Sequence, residues 1–425
     1  MTDTENNKNS NSPVSTSAPS LRFPGFTEPW RRIRLGKIAT FSKGAGISKD
    51  QRNENGKPCI LYGELYTTYT ATNITNVISR TNLPEDSLIK SVANDVIIPS
   101  SGETAEDIAT ARCVLKNDVF LGGDLNIIRL NNDSGSFLCY QLNGVRKREI
   151  AKLAQGVSVV HLYKESLKSL VVSIPSIDEQ SKIAYFLQLL DERIATQRRL
   201  IEDLEKLKSS IVEEVYCSPR ENVPRQRINK KYVDNWSVCQ LGDICTRITR
   251  RNTTIESNRI LTIAAQYGLI DQCSFFNKVV ASENLSNYYI LKKGDFAYNK
   301  SYSGDYIWGA VKRLDKYESG VLSPLYICFQ PKEKLIDSDY LLFYFESKKW
   351  HKDIAEIVVE GARNHGLLNV SIKDFFNMLI PLPSLDEQRD IAATIRAVLI
   401  KIECERTILQ RYESQKGYLL SKMLI

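Results

Sequence analysis

Histidine is scarce in this chain, with three residues in 425 at His161, His351 and His365. No two of them have the spacing of zinc ligands, and the nine cysteines form no C-x-x-C pair, which argues against a zinc site. The odd cysteine count also argues against a disulfide framework. No apolar run is long enough to cross a bilayer. We therefore expect a reduced, cytoplasmic protein with no membrane segment.

Several catalytic motifs are also missing. The sequence has no G-x-x-x-x-G-K-[ST] phosphate loop, no G-x-G-x-x-G that opens a helix, and no G-x-S-x-G nucleophile elbow. It also lacks the Asn/Asp-Pro-Pro-aromatic tetrapeptide with which amino-methyltransferases hold a target amine. These absences favour a binding protein with no catalytic residue, metal or cofactor in this chain.

What the sequence does contain is an internal repeat. Ser176-Ile-Asp-Glu-Gln180 returns 208 residues later as Ser384-Leu-Asp-Glu-Gln388. Each copy opens a long helical pattern, and serine followed three residues later by glutamate has the spacing of a capping box. We expect each serine to cap the helix while Glu179 or Glu387 reaches back to the serine amide. The adjacent acids Asp178 and Asp386 then need no catalytic explanation, since acids are common in the first turn of a helix.

Both helical patterns carry apolar residues at alternating spacings of four and three, which is typical of a coiled coil. The two stripes stay in register, position by position. The first contains Ile183, Leu187, Leu190, Ile194, Gln197, Ile201, Leu204, Lys208, Ile211 and Val215. The second contains Ile391, Ile395, Val398, Ile402, Glu405, Leu409, Tyr412, Lys416, Leu419 and Met423. So narrow a stripe favours a partner helix over burial on the helix's own domain. Gln197 and Glu405 could contact each other or a partner subunit, and the sequence leaves both possibilities open.

The rest of each half reads as a mixed α+β domain. Short β-branched runs predict strands at 95–99, 126–130, 295–298 and 325–329, and helical stretches are predicted at 137–147 and 340–351. The predicted fold is two mixed α/β domains joined by two long helices in an intramolecular antiparallel coiled coil, with a pseudo-twofold internal repeat. The predicted segments are a disordered tail at 1–20, a domain at 21–175, a helix at 176–217, a linker at 218–232, a domain at 233–382 and a helix at 383–425.

The net charge of +7 lies on the two domains. Residues 21–174 carry 20 basic against 15 acidic residues, and residues 225–381 carry 22 against 17. Two equally basic domains suit a polyanion that is held at two places, although a mildly basic surface without such a partner is the simpler explanation of charge alone.

Polar loops rich in hydrogen-bonding side chains and aromatic rings are the candidate recognition surfaces. In the first half the candidates are Lys43, Tyr62, Tyr66, Thr67, Thr68, Tyr69, Ser100, Ser101, Arg112, Gln155 and Ser158. In the second half they are Arg247, Arg250, Arg251, Asn299, Lys300, Ser301, Tyr302, Arg363, Asn364 and His365. Any one of them taken singly is more simply a solvated loop residue, and it is the clusters together that predict recognition.

These features resemble the specificity subunit of Type I restriction-modification systems. The resemblance covers about residues 21 to 425 and rests on the duplicated Pro-Ser-x-Asp-Glu-Gln helices, the Trp-x₄-Leu-Gly-x-Ile openings at Trp30 and Trp236, and Gly156 and Gly361 ahead of the helices. It implies two target recognition domains that each read one part of a bipartite double-stranded DNA sequence. It also implies a coiled coil that sets the gap between the parts. A stripe of 33 residues is about 50 Å long at 1.5 Å per residue, or near one and a half turns of B-DNA.

The resemblance further implies partners and cofactors. Two methyltransferase subunits would carry S-adenosylmethionine, and translocase-nuclease subunits would carry ATP and Mg²⁺, while this chain would hold no cofactor. Two alternatives remain at this stage. One is a coiled-coil scaffold, or degenerate relative, that binds only protein. The other is a nuclease with an unrecognised site, which would cut DNA by itself in the presence of Mg²⁺.

Overall fold

The structure is a computed structural model that describes residues 18–156, 158–264, 267–276, 284–301, 306–358 and 368–425. It divides into two compact units. Unit 1 contains the chain through Leu200 together with Glu405–Ile425, and unit 2 contains Ile201–Cys404. Each long helix therefore contributes one part to each unit.

Unit 1 contains thirteen strands in its described residues. They are β1 (Arg31–Arg34), β2 (Ala39–Lys43), β3 (Arg52–Ile60), β4 (Asn73–Ile74), β5 (Arg80–Thr81), β6 (Ile89–Lys90), β7 (Asp95–Pro99), β8 (Ser101–Gly102), β9 (Arg112–Val114), β10 (Phe120–Leu121), β11 (Leu125–Leu130), β12 (Val160–His161) and β13 (Val171–Ile174). The helices before the first long helix are α1 (Glu64–Thr67), α2 (Ala105–Ile108), α3 (Gly135–Asn143), α4 (Lys147–Leu153) and α5 (Lys164–Ser169), with short 3-10 turns at Leu35–Lys37, Lys49–Gln51 and Glu85–Ser87. The first long helix is α6 (Ile177–Val215).

Unit 2 repeats this plan with fewer strands in its described residues. They are β14 (Ser237–Gln240), β15 (Cys245–Arg247), β16 (Leu261–Ala264), β17 (Gly268–Asp271), β18 (Tyr289–Lys292), β19 (Phe296–Asn299), β20 (Ala310–Arg313), β21 (Ser319–Leu322), β22 (Ile327–Pro331) and β23 (Leu379–Leu382). The helices are α7 (Leu241–Ile244), α8 (Gln272–Phe276), α9 (Ser338–Glu346), α10 (His351–Ile357), α11 (Ile372–Asn377) and the long α12 (Leu385–Met423).

The sheets show that the two units are built alike. Unit 1 has a five-stranded sheet in the order β2-β11-β7-β9-β4, and unit 2 has a four-stranded sheet in the order β15-β22-β19-β20. The first four positions correspond, and β4 is the addition. In both units the strand that follows the tryptophan pairs antiparallel with the strand that precedes the long helix, β1 with β13 and β14 with β23. The predicted mixed α/β repeat is confirmed.

The strand predictions at 95–99 and 126–130 correspond to β7 and β11, and those at 295–298 and 325–329 fall on β19 and β22 with ends shifted by up to two residues. Each predicted single helix is in fact two. The stretch 137–147 contains α3 and the first residue of α4, and 340–351 contains α9 and the first residue of α10. Apolar periodicity does not mark these short breaks.

Each long helix begins on a buried glutamate that binds the start of its own domain. The Glu179 carboxylate accepts hydrogen bonds from Arg22 Nε at 2.6 Å, Arg22 Nη2 at 2.7 Å and Trp30 Nε1 at 3.2 Å. We call this triad, and its copy in unit 2, the glutamate anchor. In unit 1 it ties the first turn of α6 to the segment that leads into β1.

The copy in unit 2 uses the same three residue types, but its arginine binds the carboxylate through one nitrogen. Glu387 accepts from Arg227 Nη1 at 2.9 and 3.1 Å and from Trp236 Nε1 at 3.1 Å. In both anchors the arginine also donates to the carbonyl two residues before the tryptophan, Glu28 O at 2.6 Å and Asp234 O at 2.5 Å. Burial raises the pKa of Glu387, and the charge of Arg227 opposes that rise.

The capping-box prediction is thus half wrong. Ser176 Oγ does accept from the Glu179 amide at 3.4 Å, and Ser384 Oγ accepts from the Glu387 amide at 3.3 Å. The glutamate carboxylates, however, bind the arginine and tryptophan. A buried carboxylate is stabilised far more by a charged, bidentate donor than by one serine amide at the surface. Asp178 and Asp386 are exposed, as first-turn acids usually are.

The glutamine that follows each anchor glutamate holds a second helix. Gln180 Oε1 accepts from the amide of Ser134, the N-cap of α3, at 2.8 Å. Gln388 Oε1 accepts from the amide of Asp337, the N-cap of α9, at 2.7 Å. The motif Asp-Glu-Gln therefore fixes two elements of each domain against the first turn of a long helix.

The ten positions of each predicted stripe are buried or half-buried in α6 and α12. In unit 1, Ile183 and Leu187 at the start of α6 share one core with Leu419 and Met423 at the end of α12. The two long helices therefore run antiparallel, as predicted. The middle of each stripe packs against the other long helix, whereas its ends pack into the domain cores. The rejected interpretation, a helix packed on its own domain, is right for those turns.

Unit 2 shows the reciprocal arrangement. Val212 and Val215 at the end of α6 share a core with Ile391 and Ile395 at the start of α12. That core also contains Trp236, just as the core of unit 1 contains Trp30. No helix of the described residues is long and apolar enough to cross a membrane.

The polar residues Gln197 and Glu405, which interrupt the two stripes, both lie in unit 1. Gln197 Nε2 donates to Glu405 O at 3.1 Å and also to the Glu405 carboxylate. Nearby, Arg198 Nη2 lies 2.6 Å from Glu413 Oε1. Of the two possibilities that the sequence leaves open, Gln197 and Glu405 contact each other.

Removing the anchor carboxylate from unit 2 tests its contribution to stability. We expect Glu387→Ala to lower the free energy of unfolding by about 3–5 kcal/mol, because it leaves the Arg227 guanidinium, whose side chain is only 14% exposed, without its partner. The change is measured by urea unfolding of the full chain, followed by tryptophan fluorescence. The matched control is Asp386→Ala, an exposed acid one residue earlier, which should change stability by no more than about 0.5 kcal/mol. Equal losses for the two variants would contradict the assignment.

Candidate nucleic-acid interface

Two of the three predicted clusters of unit 1 lie side by side. Ser101 in β8 pairs with His161 in β12, and the Leu162 amide donates to Ser100 O at 2.9 Å. Gln155 and His161 exchange backbone hydrogen bonds of 2.9 and 2.7 Å. The loops 100–104 and 155–158, far apart in sequence, therefore form one surface.

The third cluster is bound by Arg112, the first residue of β9. Its Nε donates to Leu65 O at 3.0 Å and its Nη2 to Tyr69 O at 2.5 Å, and burial lowers the pKa of the guanidinium. Tyr66 is half-buried, and its pKa is raised by burial and by nearby acids that include Asp107 and Glu103. Tyr66 lines the same cavity as Asp107 of α2, the short helix that follows the 100–104 loop.

The individual candidates differ in what they can contact. Tyr69, Ser100 and Ser101 are buried; burial raises the pKa of Tyr69 to about 12, and its hydroxyl accepts from the Ile78 amide. These three build the surface from beneath. Tyr62, Tyr66 and Arg112 are half-buried. Lys43, Thr67, Thr68, Gln155 and Ser158 are exposed.

In unit 2 an equivalent bond joins Lys300 and Leu368, which lie at the described ends of the corresponding segments. The Leu368 amide donates to Lys300 O at 2.9 Å, the counterpart of Leu162 to Ser100 in unit 1. Asn299 Oδ1 accepts from the Ser301 amide at 3.0 Å, which folds the turn after β19. The candidates Tyr302, Arg363, Asn364 and His365 lie outside the described residues.

Three of the four predicted arginines of unit 2, Arg247, Arg250 and Arg251, lie within the described residues. Arg250 pairs with the buried Asp295 and donates to Ile290 O at 2.8 Å. Arg251 is exposed, with its guanidinium 5.3 Å from the Tyr289 ring centroid and Nη1 2.7 Å from Asn287 O. Arg247 is exposed too, and its Nη2 lies 3.4 Å from the Tyr289 hydroxyl.

The Arg250 pair is another repeated structural feature. In unit 1, Asp95 accepts from Arg129 Nε and Nη2 at 2.7 Å, and it also accepts from the Val92 amide at 2.7 Å. In unit 2, Asp295 likewise accepts from the Lys292 amide at 2.6 Å, beside Arg250. Arg250 therefore supports the strand frame, whereas Arg251 remains available at the surface.

Sequence reasoning missed a pair of basic turns. Arg146-Lys147-Arg148 begins α4, and Lys348-Lys349-Trp350-His351-Lys352 spans the start of α10. The two turns follow the nine-residue helices α3 and α9 and precede seven-residue helices in both units. The signal was a basic run at matched places in halves that otherwise share little.

Within the described residues, no group of three or more histidine, cysteine or acidic side chains could hold a metal ion. Burial lowers the pKa of His351. The described cysteines are free thiols, and burial raises the pKa of Cys59 to about 11 and that of Cys328 to about 12, so these two thiols are unreactive as thiolates.

Comparison with known proteins agrees with this geometry. A family model described as the Type I restriction modification DNA specificity domain matches twice, at residues 27–206 and 233–414, which is most of the chain. The specificity subunit of the Type I restriction enzyme MjaVIII from Methanocaldococcus jannaschii is 22% identical over 426 residues, covering 95% of this chain and 93% of that protein.

Two solved structures share the fold. The S subunit of a Type-I restriction-modification system from M. genitalium aligns with a TM-score of 0.57 at 17% identity, over 96% of this chain and 99% of that chain. A chain from a study of complex assembly and conformational transition of the type I R-M system aligns with a TM-score of 0.55 at 18% identity, over 94% and 98%.

The neighbouring arginines Arg250 and Arg251 separate structure from recognition. We expect Arg250→Met to lower the free energy of unfolding by about 2–3 kcal/mol, below the usual cost of breaking a buried pair because the arginine is part-exposed. Arg251→Met should cost about 1 kcal/mol or less, yet weaken DNA binding. Thermal unfolding and duplex-DNA affinity of the same two variants check this. A stability loss from Arg251→Met that equals that from Arg250→Met would contradict it.

Proposed function

This chain belongs to the Type I restriction modification DNA specificity family, and from that membership we propose how its two units read DNA. The chain acts as the specificity subunit of a Type I restriction-modification complex. Each unit reads one part of a bipartite target, and α6 and α12 set the number of base pairs between the parts. The observation that carries the proposal is the repeated convergence of the loops at Ser100–Leu162 and at Lys300–Leu368.

The repeat explains why two different sequences can be read. The order of the first four strands of the main sheet, the glutamate anchor and the bond at Ser100 or Lys300 recur in both units, while the side chains of the candidate clusters differ. A constant frame places variable hydrogen-bonding groups at one surface, which is how loop-borne specificity is usually built. Arginine, asparagine, glutamine, serine and threonine on these loops are suited to reading base edges.

We place no catalytic role on this chain. In this proposal, methylation belongs to two methyltransferase subunits that bind S-adenosylmethionine, and cleavage belongs to translocase-nuclease subunits that bind ATP and Mg²⁺. The assembly acts in the cytoplasm. Mg²⁺-dependent cutting of DNA by the isolated chain would instead support the nuclease alternative.

The exposed faces of the long helices support methyltransferase docking. In unit 1, Tyr185, Leu189 and Leu200 of α6 are 63%, 45% and 40% exposed. Their spacing places them on one side of the helix, opposite the apolar stripe. In unit 2, Ile400 of α12 is 60% exposed. Apolar side chains in a row on a solvated helix are suited to a helix from a partner subunit.

A scaffold that binds only protein is the second candidate. The matched basic turns favour DNA over that reading, because a protein-only scaffold has no use for phosphate contacts. The salt dependence of DNA binding by the assembled complex distinguishes the two candidates. A protein-only scaffold would make no phosphate contacts and would leave that salt dependence unchanged.

Domain exchange tests the two-module reading. The chain is co-expressed with its methyltransferase subunit, and adenine methylation is mapped across a genome. Replacing residues 21–174 by another recognition domain should change one half of the methylated motif and leave the other half and the gap intact. A change in both halves together would contradict the proposal, and so would the absence of new methylation from a stable wild-type complex.

Helix length tests the spacer. Seven residues inserted after Leu200 in α6 and seven before Glu405 in α12 keep both stripes in phase and add about 10.5 Å at 1.5 Å per residue. Because base pairs rise about 3.4 Å, the methylated motif should gain about three base pairs in its gap while both halves stay the same. An insertion in α6 alone serves as the control and should abolish specific methylation. An unchanged gap in the double insertion would disprove the spacer role.

A further inference from the structure

The two units share a cavity that no recognised feature of the family motif explains. In unit 2 it has a volume of about 370 Å³, and in unit 1 about 330 Å³. Corresponding elements line both: the last residue of α3 or α9, the first residue of α4 or α10, and the first residue of β9 or β20. The recurrence of one cavity at one place in both halves indicates a shared purpose.

Each cavity is lined by a lysine that occupies a stripe position of a long helix, and we call this residue the seam lysine. Lys208 of α6 lines the cavity of unit 2, and Lys416 of α12 lines that of unit 1. These are the two matched lysines that interrupt the apolar stripes. A lysine at an apolar stripe position costs coiled-coil stability, so its repetition at both cavities calls for a use there.

The lining of both cavities is cationic. In unit 2 the lining contains Lys208, Lys312 and Lys348 against the single carboxylate of Glu346, three positive charges against one negative. Glu346 pairs with Lys208, which leaves Lys312 and Lys348 without an acidic partner in the described part of the chain. Burial lowers the pKa of Lys312, so an anion that entered would restore the stability of its charged form.

The cavity of unit 1 has the same sign with a smaller surplus. Arg112, Lys147 and Lys416 face Asp107, and Lys416 pairs with Asp191 behind the wall. Asp191 is itself held by the Tyr140 hydroxyl at 2.9 Å. Lys147, the first residue of the basic turn, is the cation that has no acidic partner among the described residues. The unit 2 cavity is therefore the sharper test.

Both cavities adjoin the converging loops. Tyr66 and Arg112 of the unit 1 surface line its cavity. In unit 2, the cavity wall at Ala310 is paired across the ladder with Asn299, where the recognition turn begins. A ligand that runs along the loops would thus pass the cavity.

We propose that each cavity, with its basic turn, binds a backbone phosphate of the DNA duplex beside the half-site read by the same unit. This rests on the proposed function and adds to it a contact that is independent of base sequence. Phosphate contacts fix the register of a protein on DNA, and base contacts then read the sequence. The seam lysine would tie that register to the helix that sets the spacing.

The test uses the chain assembled with its methyltransferase subunits. Affinity for a duplex with the mapped target, and for an unrelated duplex, is measured against salt concentration. Lys312→Gln and the exposed Lys348→Gln should each reduce the salt slope by about 0.9 per lost phosphate contact, equally for both duplexes, and leave the methylated motif unchanged. The control is Lys334→Gln, an exposed lysine beyond the opposite end of α9, which should keep the wild-type slope.

Three outcomes would overturn the phosphate proposal. One is a wild-type slope in both folded variants. Another is an unchanged slope with loss of a methyltransferase subunit from the complex, which would make the cavity a protein-binding site. The third is that inorganic phosphate stabilises the wild type and not the variants, while the variants keep the wild-type salt slope for DNA. That result would make the cavity a site for free anions. Failure of the proposed function is distinct, since it would remove target preference from the wild type, while the unrelated duplex would still test the cavity.

Discussion

The structure depends on a buried carboxylate at the first turn of each long helix. Glu179 and Glu387 lie inside the domains, where an unpaired charge would be severely destabilising, so each needs an arginine and an indole donor from the start of its own domain. That requirement links two distant parts of the chain, the segment before the first strand and the first turn of the long helix. Because both copies satisfy the same requirement with the same donors, the frame stays constant while the loops diverge.

The sequence predicted what repeats with a short period. The four-three stripes predicted the helices α6 and α12, and every stripe position is buried or half-buried. The antiparallel direction was predicted because a domain must fit between the two helices along the chain. The role of Glu179 could not be predicted from its neighbours. Serine and glutamate three residues apart suit a capping box, whereas the true partner, Arg22, lies 157 residues away along the chain. Long-range pairs leave no periodic trace in a single sequence.

The sequence predicted which loops form the candidate site, but not which of their side chains are exposed. The clusters around Ser100 and Gln155 do come together, and Tyr66 lines a cavity with Asp107 of the helix that follows Ser100. Which members face outward depends on packing that the sequence does not show, and Tyr69 and Ser100 prove to be buried. Adjacent residues can also take opposite roles, as Arg250 and Arg251 do. Charge runs such as Arg146–Arg148 were the signal that went unused, because a basic run is ordinarily a solvated face.

The polar interruptions of the stripes have two different physical explanations. Gln197 and Glu405 satisfy each other where the helices pair, and a buried polar pair of this kind penalises any shift of register, since a shift would leave both groups without partners. Lys208 and Lys416 instead line the cavities and pair with carboxylates, Lys208 with Glu346 in the cavity lining and Lys416 with Asp191 behind the cavity wall. A purely apolar stripe would be more stable and less specific, free to slide by a turn. The two kinds of interruption together hold the helices in one register and bind that register to the domain surfaces, as the proposed spacer role requires.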